Sequence, residues 1–147
     1  MALNVDGVVA LLWVYDMPTS VRFYRDVLGC DIVTTSPAMG EDYFHWAMLR
    51  LGKAQFMLNT IFDSNEDRVP QPNRAQAASP RDVWLYFDCP DVDAAYNELR
   101  RRNAAVEEPL VTFYGMKQTS LLDPDGYKLV FQCPAKKQPA NHKTPNP

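Results

Sequence analysis

Apolar and polar positions follow the same order twice along this chain. Residues 8–15 are a run of aliphatic, β-branched and aromatic side chains between Gly7 and Asp16, the pattern of a buried strand. Asp16 or Thr19 then caps a helix with Pro18 in its first turn. Val21, Tyr24, Val27 and Leu28 share one face at helical spacing, and Gly29 stands at the C-terminal cap. Residues 30–35 predict a strand, 37–42 a loop, and 43–51 with 54–59 a hairpin in which Gly52 suits the first central position of a type II′ turn.

The second round begins about 75 residues later, on the same Asp-led junction of strand and helix. Residues 83–87 predict a strand. Asp91 caps a helix whose stripe is Val92, Ala95, Tyr96 and Leu99. Arg100, Arg101 and Arg102 lie at its C-terminal end, where the helix dipole favours positive charge, and Asn103 suits a left-handed cap. Residues 105–107 predict a short strand and 116–122 with 127–132 the last hairpin, turned by the three-residue loop Pro124-Asp125-Gly126. Residues 60–80, rich in Pro, Asn, Gln and Ala, predict a long linker without regular structure, and residues 134–147 a flexible tail.

Charge and cysteine content narrow the partners. A formal charge of −3 without a Lys/Arg stripe gives no footprint for nucleic acid or an anionic membrane. No apolar stretch reaches the roughly 20 residues of a membrane span, and residues 1–7 lack the basic start of a secretory leader. Cys30, Cys89 and Cys133 show no metal or disulfide spacing and read as reduced thiols, so a cytoplasmic protein is expected.

Two segments carry a family resemblance. They are Asp16-Met17-Pro18-Thr19-Ser20-Val21-Arg22-Phe23-Tyr24-Arg25-Asp26-Val27-Leu28-Gly29 and Asp123-Pro124-Asp125-Gly126-Tyr127. Set in a βαβββ order that runs twice, they resemble the vicinal oxygen chelate superfamily of glyoxalase I, extradiol dioxygenases, fosfomycin-resistance transferases and bleomycin-resistance binding proteins. The resemblance implies an α+β fold in which tandem βαβββ modules form an open mixed-sheet cup. Its bounds are residues 6–59 for module one, 60–80 for the linker and 81–133 for module two. It also implies a homodimer in which modules of two chains complete each cup.

Metal enzymes of that superfamily carry His, Gln or Glu on the cup face of the first and last strands. Counted from Asp16, Asp91, Gly126 and Gly52, those places fall here on Val9, Trp84, Val130 and Phe56. None offers the imidazole, carboxylate or thiolate that a divalent ion needs, so neither metal nor cofactor is expected. The expectation is a metal-independent protein that sequesters an apolar or aromatic small molecule, in the manner of antibiotic-resistance binding proteins.

Pairing and alternation extend the candidate set. If Leu49 faces Phe56 across the Gly52 turn, Ala47, His45 and Leu58 join the cup face, while Phe44 and Trp46 turn toward a helix. The Pro124-Asp125-Gly126 loop pairs Ser120 with Val130 and Gln118 with Gln132. The candidate ligand-binding set is therefore Val9, Leu11, His45, Leu49, Phe56, Leu58, Trp84, Tyr86, Gln118, Ser120 and Val130, with His45, Gln118 and Ser120 as polar handles. Two other classes stay open. One is a lyase, isomerase or dioxygenase with displaced metal ligands or a His45-based, metal-free mechanism; the other is an interaction module whose apolar cup faces a partner protein.

Overall fold

The computed structural model describes residues 2–60 and 83–136, and the linker and tail expectations fall mostly outside them. Module one runs β1 (Ala10–Val14), α1 (Met17–Arg22) continuing into a π-helical turn (Phe23–Val27), β2 (Asp31–Thr35), β3 (Trp46–Leu51) and β4 (Ala54–Thr60). Module two runs β5 (Trp84–Asp88), α2 (Val92–Arg101), β6 (Leu110–Val111), β7 (Met116–Leu122) and β8 (Lys128–Pro134). Each module folds into one four-stranded sheet, ordered β1-β4-β3-β2 and β5-β8-β7-β6. In both, the first strand pairs parallel with the last and the remaining pairs are antiparallel. This is the expected α+β pair of βαβββ units, open rather than closed.

Local chemistry explains the joints. Asp91 caps α2 by accepting the Ala94 N–H at 3.1 Å, and Asn103 leaves it at φ 60. Gly29, at φ +80, reverses the chain after the π turn, and the Cys30 N–H reaches back to the Tyr24 carbonyl at 2.8 Å. Gly52 has φ +59 in the two-residue turn between β3 and β4, as the hairpin pattern requires.

Four strands have a boundary two residues or more from expectation. β1 starts at Ala10, where its ladder to Phe56 begins, and leaves Val8 and Val9 exposed ahead of it. β3 starts at Trp46, because the Ser36 hydroxyl accepts the N–H groups of His45 and Trp46 and bends the chain there. The short strand expected at 105–107 forms at Leu110–Val111 instead, although the Glu107 N–H still reaches the Ser120 carbonyl at 2.8 Å. β8 runs on to Pro134, two residues past the predicted end.

Both modules feed one core. Leu12, Val14, Met17, Val21, Tyr24, Leu49, Phe56 and Leu58 from module one join Phe87, Leu99, Leu121, Leu129 and Phe131 from module two. The rings Tyr24, Phe56, Phe87 and Phe131 follow one another at centroid separations of 5.2, 6.1 and 5.2 Å and carry the packing across the module boundary. Polar contacts tie the same boundary. The Tyr24 hydroxyl donates to Asp123 at 2.7 Å, the Tyr127 hydroxyl to the Trp13 carbonyl at 2.8 Å, and the Tyr15 N–H to Asp125 at 3.1 Å.

Candidate functional site on the open sheet faces

Strands β1, β4 and β5 each have one face in the core and one outside it. In β1, Leu12 and Val14 are buried while Leu11 and Trp13 are 39% and 48% exposed; in β5, Phe87 is buried while Trp84 and Tyr86 are 51% and 48% exposed. The outward set is the open face, and it decides which expected site residues belong together.

In module two the expected residues share one side of the sheet. The registers Tyr86↔Val130, Ser120↔Val130 and Gln118↔Gln132 put Trp84, Tyr86, Gln118, Ser120 and Val130 on one face. Trp84, Gln118, Ser120 and Val130 line a hollow of about 180 Å³ together with Lys128, Glu107, Glu108, Leu110 and Thr119. Val130 lies at its floor and is buried. The Lys128 ammonium lies 4.1 Å from the centre of the Trp84 ring, and the Trp84 and Tyr86 rings are 6.5 Å apart. Beside these rings runs a polar strip: Gln118 Nε2 donates to Gln132 Oε1 at 3.2 Å and to the Tyr114 hydroxyl at 3.1 Å, and Gln132 Nε2 donates to Asp88 at 3.1 Å. Aromatic surface and hydrogen-bonding groups therefore share this face.

In module one the expectation is corrected. Leu49, Phe56 and Leu58 are buried core residues, not cup walls, and Phe56 packs its ring against Tyr24. The parallel register Ala10↔Phe56 and Leu12↔Leu58 places them on the face opposite Leu11, since a shift of one residue exchanges the faces of a strand. Gly52 opens a two-residue turn, whereas Gly126 closes a three-residue loop, so the counterpart of Val130 is Met57, opposite Leu11, and not Phe56.

His45 is also displaced. It precedes β3, its ring is 6.5 Å from that of Tyr43, and it shares strand parity with the buried Ala47. Phe44 is buried as expected, but Trp46 pairs with Asn59 on the outward side. Val9 is 44% exposed and precedes β1. Of the first-module candidates, Leu11 lies on the open face, where Trp13, Trp46, Met48 and Met57 are its companions.

The donor set does not suit a hard divalent ion. The four places that carry ligands in metal enzymes of this type hold Val9, Met57, Trp84 and Val130, and a thioether among aliphatic and indole side chains is no site for zinc, iron, manganese or magnesium. Among the described residues, no three His, Cys, Asp or Glu side chains come together. The thiols are not poised as nucleophiles either: burial pushes Cys30 up to about 12 and raises Cys89. All three cysteines are free.

One carboxylate is strongly perturbed. Burial pushes Asp123 up to about 6, against hydrogen bonds from the Tyr24 hydroxyl and the Tyr127 and Asp125 N–H groups that favour its charged form. It lies at the module boundary, and its contacts are structural.

Comparisons with known proteins agree with this architecture. The model of the Glyoxalase/Bleomycin resistance protein/Dioxygenase superfamily matches residues 7–131. No curated protein matches the chain. Among solved structures, SMU.1112c is 26% identical over 88% of this chain and 100% of its own, with a TM-score of 0.65. TnmS3, an antibiotic binding protein from Streptomyces sp. CB03234, is 23% identical over 92% and 99%, with a TM-score of 0.61. TioX from Micromonospora sp. ML1 is 17% identical over 91% and 100%, with a TM-score of 0.65.

Proposed function

Because the chain belongs to the Glyoxalase/Bleomycin resistance protein/Dioxygenase superfamily, we propose that it binds and sequesters an apolar or aromatic small molecule without a metal ion. The observation that carries this reading is the open face of module two. Two half-exposed aromatic rings, a cation over one of them and a strip of paired amides form a surface suited to stacking a flat ligand and fixing its edge by hydrogen bonds. Metal-dependent chemistry would need donors at Val9, Met57, Trp84 and Val130, and those side chains supply none that suit a hard ion. The antibiotic-binding description of TnmS3 supports a small-molecule ligand, and antibiotic resistance is the biological role we propose with it.

The working unit in this reading is a homodimer. A hollow of about 180 Å³ is below the roughly 300–1,000 Å³ of ordinary ligand sites. The apolar open face of module one, with Leu11 and Trp13 exposed, is the surface a second copy brings to complete it. Where the protein acts follows less directly: no helix among the described residues is long and apolar enough to cross a membrane, and we place the protein in the cytoplasm because its thiols are free.

The test is isothermal titration with planar aromatic compounds, antibiotics included, in the presence and absence of chelator, beside sedimentation velocity of the protein alone. Saturable binding of one such compound that is indifferent to chelator, by a dimer, is the expected result. Binding that requires an added divalent ion would replace this reading with a metal-dependent lyase or dioxygenase.

A further inference from the structure

The two hairpin tips stand in equivalent places of the repeat, yet among the described residues only one of them is sealed. The β7–β8 loop closes on the junction of β1 and α1 through the Tyr24–Asp123, Tyr127–Trp13 and Tyr15–Asp125 hydrogen bonds. The β3–β4 turn, one residue shorter, faces the junction of β5 and α2 and leaves a cleft of about 710 Å³ between the modules. That volume falls within the range of drug-sized ligand sites.

The geometry points to this cleft as a second small-molecule site, separate from the hollow beside Trp84, for an aromatic ligand that carries one anionic group. Its apolar wall is formed by Leu28, Leu51, Phe87, Leu99 and Phe131. The charges at its rim are unequally engaged. Glu98 is paired with Arg101 and Arg102, Arg102 also donates to the Val27 carbonyl, and Asp88 accepts from Gln132. Lys53 is exposed on the turn that borders the cleft and makes no hydrogen bond or ion pair among the described residues. A sulfonate or carboxylate entering with its ring against Phe87 and Leu99 would find that ammonium available. The cleft borders the open face at Tyr86 and Asp88 but shares no residue with the hollow beside Trp84, so binding in one can be told from binding in the other.

The test is a fluorescence titration with 1-anilinonaphthalene-8-sulfonate on the intact protein. Ala95→Trp fills the cleft from α2 and Ala54→Trp from the hairpin side, so the result does not depend on one variant folding. Saturable binding is expected, weakened about tenfold or more by each filling variant and about threefold to tenfold by Lys53→Glu, and changed less than about twofold by Trp84→Ala. Bound probe should also slow alkylation of Cys89, which lines the cleft. No saturable binding, or binding that survives both filling variants, would overturn the inference. Loss in Trp84→Ala alone would overturn it too, by moving the probe to the open face.

Discussion

Module one and module two carry the same five elements, but they differ in what lies outside the core. The open face of module one groups Leu11, Trp13, Trp46, Met48 and Met57, with Asn59 between the two indoles and the Arg50–Gln55 pair toward the hairpin end. That of module two combines Trp84 and Tyr86 with the Tyr114–Gln118–Gln132–Asp88 strip. One face is mostly apolar; the other sets aromatic rings beside a row of hydrogen-bonding groups. The buried faces show the reverse: they are alike and merge into one cluster.

The largest effect should separate the two faces of module one. Leu58→Ala removes a fully buried side chain and should lower stability by roughly 2–5 kcal/mol in urea unfolding, whereas Leu11→Ala should cost less than about 1 kcal/mol. Equal losses would mean that the face assignment fails.

The sealed junction gives the next effect. Tyr24→Phe withdraws the hydroxyl from buried Asp123 and should destabilise the protein by about 1–3 kcal/mol. Asp123→Asn should cost more at pH 5 than at pH 7. The sign follows from the raised carboxyl. Between the unfolded value near 4 and the folded value of about 6 the native state binds more protons than the unfolded one. The contribution of Asp123 to stability therefore falls as pH rises from about 4 to 6 and is level above that; chemical denaturation across this window, with and without Asp123→Asn, checks it.

The smallest effect is at the surface. Arg25 contacts Asp42 through both terminal nitrogens at 2.9 and 3.1 Å, but this pair is partly exposed, so Arg25→Ala should change stability by no more than about 1 kcal/mol and less at high salt.

Much of this was legible from the residues. Asp91 as a cap, Asn103 and Gly29 in left-handed positions, and the Ser120–Val130 and Leu49–Phe56 pairings all follow from local chemistry that acts over a few residues. The faces of module one were not legible from the hairpin alone. Pairing Leu49 with Phe56 fixes which residues share a side, but not whether that side meets the helix. The parallel contact of β4 with β1 decides it, and that contact joins residues more than 40 positions apart. Comparing the apolar residues of β1 with the equivalent positions in β5 would have found Met57, because Leu11 and Tyr86 stand at the same distance before Asp16 and Asp91. The Lys128–Trp84 contact was accessible as a register pair, Trp84↔Lys128, once β5 and β8 are aligned.

The most direct test of the central claim is quenching of tryptophan emission by planar aromatic compounds, compared between the native protein and Trp84→Phe. The account predicts a ligand whose saturable quenching is largely lost in Trp84→Phe while the unfolding midpoint moves little, since Trp84 is half exposed on the open face of module two. Quenching that persists undiminished in Trp84→Phe, or an unfolding midpoint that falls in step with binding, would contradict it.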